Sequence, residues 1–392
     1  MMSALMPTYA PSDLAFERGE GVYLFTSDGK RYLDFCAGIA VNSFGHAHPH
    51  LVGALKEQAE KVWHTSNLYR IPGQEKMAER LAKHSFADKV FFSNSGAEAI
   101  EGAIKIARKY HHDAGHPERY RVVCCTNAFH GRTLATIAAG GQPKHTEGFG
   151  PLTDGFDHVA YGNLNEMRAA ITPQTAAILV EPVQGEGGIY GAGPEYLKGL
   201  RAIADEFGIL LMFDEVQCGM GRTGKLFAHE WADIEPDVVA TAKGIGGGFP
   251  LGAILTNEKA AVLKVGNHGT TYGGNPLAMS VGNAVLDLLF TDGFLDSVAK
   301  IGDALGTALE GLVKKYPGVF SEVRGQGLMR GIKCVDGVDN RDFKAKLENK
   351  GLLVAPAGDN VIRFLPPLII EQSHIDEAIM IIESVAEEIS GV

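Results

Sequence analysis

Residues 176–215, "AAILVEPVQGEGGIYGAGPEYLKGLRAIADEFGILLMFDE", decide the fold. Ala176 to Val180 and Ile209 to Phe213 are short continuous apolar runs, the pattern of parallel strands buried on both faces. Between them Leu197, Leu200, Ala204 and Phe207 recur at helical spacing after Pro194, a residue suited to a first helical turn. Strand, helix and strand make one βαβ unit. Similar runs recur in "KVFFSNS" (89–95), "RVVCCTN" (121–127) and "DVVATAK" (237–243), so a helix-covered, mostly parallel sheet is expected over about residues 50–290.

The character changes at both ends. "GVYLFTSDGKRYLDF" (21–35) reads as a hairpin, Val22 to Phe25 and Arg31 to Phe35, around a Ser-Asp-Gly turn. After residue 290 come a long amphipathic helix, "GQGLMRGIKC" (325–334), "NVIRFLPPLII" (360–370) and a last helix. Residues 1–49 and 291–392 are therefore expected to form a smaller, discontinuous α+β domain.

A net charge of -11 over 392 residues argues against a nucleic-acid footprint or an anionic-membrane surface. The five cysteines follow no CxxC or zinc spacing, which fits reduced thiols in the cytoplasm. No secretory signal or membrane-spanning stretch is expected in the chain.

Three stretches carry chemistry. In "FFSNSGAEAIEGAIKIARKY" (91–110) a strand runs into Ser95-Gly96-Ala97, and Ile100, Ala103, Ile104 and Ala107 then mark one helix face, with Glu101 and Lys105 read as an i,i+4 pair on the other. Unpaired N–H groups and the positive dipole end at that start suit an anion, worth roughly 0.3 to 2 kcal/mol per contact, although an ordinary serine cap would explain this stretch alone. In "GILLMFDEVQCGMGRTG" (208–224) Asp214 and Glu215 stand at the carboxyl end of a buried strand, where open α/β sheets bind ligands. A half-buried acid there needs a cation, either a metal or a protonated heterocyclic nitrogen, unless it only caps the next turn.

Lys243 follows 29 residues after Asp214, at the end of the next predicted strand. Its glycines come after it and lead into another strand, so a nucleotide P-loop is excluded. A desolvated lysine near an anion site has the setting of a Schiff-base lysine. An anion-binding helix start, an acid for a ring nitrogen and an imine-forming lysine are together what pyridoxal 5'-phosphate (PLP) requires.

The chain also resembles the class III (ω-amino-acid) aminotransferases across its length, most closely their acetylornithine branch. The matching stretches are "YLDFCAGIAVNSFGHAHP", "SNSGAEAIEGAIKIAR", "FHGRT", "EPVQGEGG", "DEVQCGMGRTG", "KGIGGGFPLGA", "HGTTYGGNPLA" and "IRFLPPL". The resemblance implies PLP fold type I, an α/β fold with a seven-stranded, mostly parallel sheet in the large domain. It implies that Lys243 anchors the cofactor and shuttles the proton, while Asp214 pairs with the ring nitrogen. Phe129 is expected to stack on the ring, Gln217 to reach its phenolic oxygen, and Ser95, Gly96 and Ala97 to hold the phosphate. Val216 joins the cofactor site, and Thr271 of the partner subunit completes it in a homodimer. Arg132 is expected to clamp the donor carboxylate, with Thr270 also contacting substrate. Glu186 and Arg363 are expected to act as a switch, Glu186 neutralising Arg363 until 2-oxoglutarate displaces it.

The implied reaction moves the ω-amino group of N2-acetyl-L-ornithine to 2-oxoglutarate, a step of arginine biosynthesis. "GIAVN" (38–42) lacks the tyrosine that ornithine δ-aminotransferases tend to carry around Gly38, which favours an acylated donor. N-Succinylornithine, N-succinyl-diaminopimelate, ornithine and 4-aminobutyrate remain alternatives, as do a PLP aminomutase and a catalytically silent protein of this fold. The histidines of "GHAHPH" (45–50) and "YHHDAGH" (110–116) lack zinc spacing, and no metal site is expected. Cys218 reads as a buried thiol rather than a nucleophile.

Overall fold

The computed structural model describes residues 4–391; the outermost residues of the expected small domain, 1–3 and 392, lie outside them. Its centre is a seven-stranded sheet in the order Lys89–Ser93, Gly252–Thr256, Val238–Thr241, Leu210–Asp214, Thr175–Val180, Arg121–Cys125 and Phe156–Val159. Gly252–Thr256 is antiparallel to both neighbours, and the other adjacent pairs are parallel. Alternate residues of one strand feed different cores. Leu211 and Phe213 pack with Ile178 and Val180 on one face, while Leu210 and Met212 pack with Ala177 and Leu179 on the other. Burial on both faces explains why these strands read as unbroken apolar runs.

The crossover helix is Pro194–Phe207, burying Tyr196, Leu197, Leu200, Ile203 and Ala204 and ending on Gly208 at φ 62°. Helix Gly96–Asp113 begins at Ser95, whose hydroxyl accepts from the Glu98 amide at 3.2 Å. Ile100, Ala103, Ile104 and Ala107 are buried as the spacing predicts. Glu101 and Lys105 do not pair with each other. Lys105 Nζ instead donates to Asn267 O and lies 2.9 Å from His268 Nδ1, and Glu101 accepts from Thr133 Oγ1 at 2.5 Å. Each finds a partner on a neighbouring segment, and the spacing rule sees only its own helix.

The chain ends build two further sheets. Phe16–Glu20, Tyr23–Thr26 and Arg31–Asp34 are joined in parallel by Leu352–Leu353, next to Arg31–Asp34. The first strand is polar and mostly exposed, so no apolar pattern announced it. The second sheet runs Phe320–Gln326, Met329–Cys334, Val361–Phe364, Ala355–Ala357, with antiparallel pairs. A short ribbon, Val183–Gln184 with Tyr190–Gly191, carries the loop that includes Glu186. Among the described residues no single helix is long and apolar enough to cross a membrane.

Leu200 is fully buried at the centre of the crossover helix. Leu200→Ala is expected to destabilise the protein by about 2–5 kcal/mol, read as a lowered denaturation midpoint.

Candidate active site

The sheet register brings the chemistry to one edge. Asp214 lies beside Ala240 and Phe213 beside Val180, so Glu181 and Asp214 end adjacent strands, with Lys243 just beyond the strand on the other side. They line a cavity of about 420 Å³ with Ser95, Gly96, Ala97, Phe129, Arg132, Val216 and Gln217. Six of the eight family-matching stretches thus contribute walls to one space.

Lys243 opens a 3-10 turn in the left-handed region, at φ 49°, followed by Gly247 at φ 54° and Gly248 at φ 116°. A lysine held there is strained, a condition that persists only where surrounding structure imposes it. Gly248, Phe249, Pro250 and Leu251 then form cavity wall before the chain re-enters the sheet. Burial, and after it the positive charge of Arg363, pushes the Lys243 amine below its ordinary range. That favours the uncharged, nucleophilic form.

Asp214 is 4 % exposed. Its Oδ1 accepts from the Val216 amide at 3.0 Å, and its Oδ2 from Nδ1 of the buried His130 at 2.8 Å. Burial opposes charge on His130, but the Asp214 bond and the nearby Asp214 and Glu181 charges outweigh it and raise its pKa. Glu181 accepts from the amides of Phe129 (2.9 Å) and Gly185 (3.2 Å). Burial, then repulsion from Asp214, pushes its carboxyl up to about 7. Neither His130 nor Glu181 was singled out from the sequence. Glu181 was within reach, because it ends its apolar run as Asp214 ends the next. Glu215, by contrast, leaves the cavity: it accepts from the amides of Ala228 and His229, from His229 Nδ1 and from the Cys218 thiol.

Arg363 is 1 % exposed. Its Nη1 donates to Glu186 Oε1 at 2.8 Å and to Gln217 Oε1 at 2.9 Å, and its buried Nε has no hydrogen-bond partner. Burial alone would raise the Glu186 carboxyl, but Arg363 outweighs it and holds the pKa below the ordinary range. Arg132 lies at the cavity with its guanidinium 5.5 Å from the Phe129 ring centre and has no ion pair among the described residues. Thr270 and Thr271 stand outside this cavity. They line a separate recess with Asn94, Glu98 and His268, and the Thr270 hydroxyl is engaged by Asn94 Nδ2 and the Gly273 amide. The histidines of residues 45–50 have other uses: His46 bonds Asp34, and His50 bonds Asp287.

The residues present fit PLP. No hydrogen bond engages the Gly96 and Ala97 amides, which leaves two donors for a phosphate at a helix start. A Cβ on Gly96 would come within 2.8 Å of Val216, so only glycine allows this close packing. Asp214, a flat Phe129 ring and a desolvated Lys243 supply the remaining groups.

The family Aminotransferase class-III matches residues 6–386. The chain belongs to the class III aminotransferases. It is 58 % identical to the acetylornithine aminotransferase of Brucella melitensis over 98 % of this chain and 96 % of that one. Identity to the Agrobacterium fabrum acetylornithine aminotransferase is 57 %, over 99 % and 97 %. Among solved structures, the ornithine aminotransferase of Toxoplasma gondii superposes with a TM-score of 0.95 at 32 % identity, covering 99 % of this chain and 93 % of the other. The N-acetylornithine aminotransferase of Stenotrophomonas maltophilia superposes with a TM-score of 0.85 at 37 % identity, covering 97 % and 98 %. The fold of this aminotransferase is PLP fold type I, and its cofactor is PLP.

The raised Glu181 pKa links stability to pH. The contribution is present below the carboxyl's ordinary 4.5 and is lost as pH rises through about 7. Glu181→Gln cannot ionise, so it should gain stability relative to the parent protein between pH 5 and pH 8. Denaturation midpoints of both proteins at the two pH values check this, and an unchanged difference would sink the assignment.

Proposed function

We propose that this class III aminotransferase moves the ω-amino group of N2-acetyl-L-ornithine to 2-oxoglutarate, giving N-acetyl-L-glutamate 5-semialdehyde and L-glutamate, as in arginine biosynthesis. The observation that carries the reading is a buried Arg363 held by a displaceable Glu186 and by Gln217, which lines the cavity together with Arg132. The identities to acetylornithine aminotransferases support the donor.

Bound in this cavity, PLP supplies an electron sink for ionising the C–H bond beside the transferred nitrogen. The protein does the rest. Lys243 Nζ anchors the cofactor and then carries the proton at the reacting carbon, and burial lowers its pKa in the direction that both tasks need. Asp214, oriented by His130, keeps the ring nitrogen protonated. Phe129 and Val216 hold the ring, Gln217 faces its phenolic oxygen, and Ser95, Gly96 and Ala97 take the phosphate. Arg132 fixes the donor carboxylate with a planar, bidentate fork. While the donor is bound, Glu186 neutralises Arg363 and no free charge meets an uncharged end of the substrate. The α-carboxylate of 2-oxoglutarate displaces Glu186 and takes Arg363. This pair is the gate between the two half-reactions.

A second copy of the chain completes the site. Segment 62–69 packs beside residues 270–273 through Asn67 Nδ2, which donates to Thr270 O and Gly273 O, and through a His64–Tyr272 ring contact at 5.1 Å. Trp63, Leu68, Tyr69 and Tyr272 are each more than half exposed there, an apolar patch suited to a homodimer. In that assembly Thr271 of the partner subunit supports the phosphate, and Thr270 lies near the substrate. Residues 50–290 form the large domain, and 1–49 with 291–392 the small one, following the sheets they supply. The acidic charge, and cysteines that follow no disulfide or zinc spacing, support reading the enzyme as cytoplasmic.

A donor panel tests the reading. N-Acetylornithine should give the highest kcat/KM among N-acetylornithine, N-succinylornithine, ornithine, N-succinyl-diaminopimelate and 4-aminobutyrate, each followed by loss of the cofactor's absorbance in single turnover. A higher value for another donor would replace acetylornithine. Arg132→Lys should lower kcat/KM for N-acetylornithine by a factor equivalent to about 2–5 kcal/mol, because one ammonium cannot replace the fork.

A further inference from the structure

The loop carrying Glu186 is fastened to the C-terminal sheet, and one of the fastenings lies just before Arg363 in the chain. The Gly358 amide donates to Glu186 O at 2.9 Å, and Arg324 Nη1 donates to Gly188 O at 3.2 Å. The two backbones touch closely, since a Cβ on Gly188 would lie 3.0 Å from Gly358 O. At the centre is Asp359. Its Oδ2 accepts from Tyr190 Oη at 2.5 Å and from Arg324 Nη2 at 2.6 Å, and Lys333 Nζ lies 2.9 Å from both its oxygens.

These donors come from three places: the ribbon strand Tyr190–Gly191, strand Phe320–Gln326 and strand Met329–Cys334. The Arg324 guanidinium also sits 4.0 Å over the Tyr190 ring and pairs with Glu322. Isolated surface ion pairs contribute little. Here Arg324 is largely buried, and one carboxylate joins three segments. Tyr190, Lys333 and Arg324 outweigh the effect of burial and hold the Asp359 carboxyl well below the ordinary range. Ile189 adopts left-handed backbone at φ 56°, which a β-branched residue takes only under constraint, and Asp359 and Asn360, at φ 54° and 57°, are of the types that tolerate it.

We propose that Asp359 is a positioning residue for amine transfer: by gathering Tyr190, Arg324 and Lys333 it fixes the Glu186 loop, so that Glu186 covers Arg363 whenever the ω-amine donor is bound. The inference rests on the Glu186–Arg363 gate. With the main chain of Glu186 pinned by Gly358, the gate opens by rotation of one partly exposed side chain rather than by loop movement. A slack loop would leave Arg363 uncovered more often. That costs the donor half-reaction, in which a bare buried guanidinium faces a substrate end without charge, and leaves the 2-oxoglutarate half-reaction nearly untouched.

The test measures single-turnover kcat/KM for N-acetylornithine and for 2-oxoglutarate in the holoenzyme and in Asp359→Ala, Tyr190→Phe, Glu186→Ala and the double variant Glu186→Ala/Asp359→Ala. Asp359→Ala should lower the donor value about tenfold and Tyr190→Phe about threefold, with the 2-oxoglutarate value within about twofold in both. In the Glu186→Ala background the Asp359 substitution should change nothing further, since its only target is gone. Equal losses in both half-reactions, or effects that multiply in the double variant, would overturn the clamp while leaving the gate standing. A Glu186→Ala variant with an unchanged ratio of the two half-reactions would overturn the gate itself and the clamp with it. Tyr190→Phe removes one hydroxyl and keeps the test available if Asp359→Ala fails to fold.

Discussion

A carboxylate carried to the end of a fully buried strand must be paired there, and the active site follows from that constraint. Leu210–Asp214 is buried along its length, so Asp214 emerges where water cannot solvate it. His130 and the Val216 amide satisfy part of its capacity. A protonated ring nitrogen is the natural partner for the remainder, and the desolvation that makes Asp214 need a cation also lowers the Lys243 pKa and so favours its nucleophilic form. Glu181, one strand over, meets the constraint in the opposite way. It takes two backbone amides and keeps its proton up to about pH 7 rather than add a second negative charge beside Asp214.

The same edge explains the single reversed strand. From Thr241 the chain must place Lys243 at the cavity and return at once, and Ala242–Leu251 is too short to carry a parallel crossover. The next strand can only run back, and Gly252–Thr256 does so between its two neighbours. Gly247 and Gly248 accept the left-handed backbone of that return at little cost, whereas Lys243 accepts it under strain. The glycines after the lysine are therefore a device for turning and for close packing around the cavity, and the free amides of a helix start lie elsewhere, at Gly96 and Ala97.

What could be read in the sequence follows from how local each signal is. The buried strands, the crossover helix, Ser95 as a helix start and Lys243 at a strand end are written in short windows, and the structure has them there. The Glu101–Lys105 pair failed because both side chains had better partners on segments distant in sequence. His130 went unassigned because nothing near it in sequence reveals that Asp214, 84 positions later, lies 2.8 Å away. Strand Phe16–Glu20 was missed because an exposed edge strand needs no apolar pattern. The segment around Glu186 was legible only through its match to the family, and its fastening to residues 358–360 is a property of two loops that meet only after folding.

Two buried arginines show what the gate requires. Arg222 is also fully enclosed, yet no acid faces it. Its Nη1 donates to the carbonyls of Leu328 and Pro366, and burial pulls its pKa down to about 9. Carbonyl dipoles are fixed parts of the backbone, so Arg222 is a permanent tie between the 219–224 turn and the C-terminal region. Arg363 is held by a carboxylate and a side-chain amide, both on flexible stems, with only a long 3.5 Å bond from Nη2 to the Pro356 carbonyl. A guanidinium so placed can exchange one carboxylate for another at little electrostatic cost, because the charge count in the site stays the same at every stage. That exchange is selective only if the resident carboxylate returns to the same place each time, and a side chain returns reliably only when its backbone does not wander. The ties at Gly188 and Gly358 and the ion cluster on Asp359 meet that requirement, and they do so from outside the cavity, where they do not compete with substrate for Arg363.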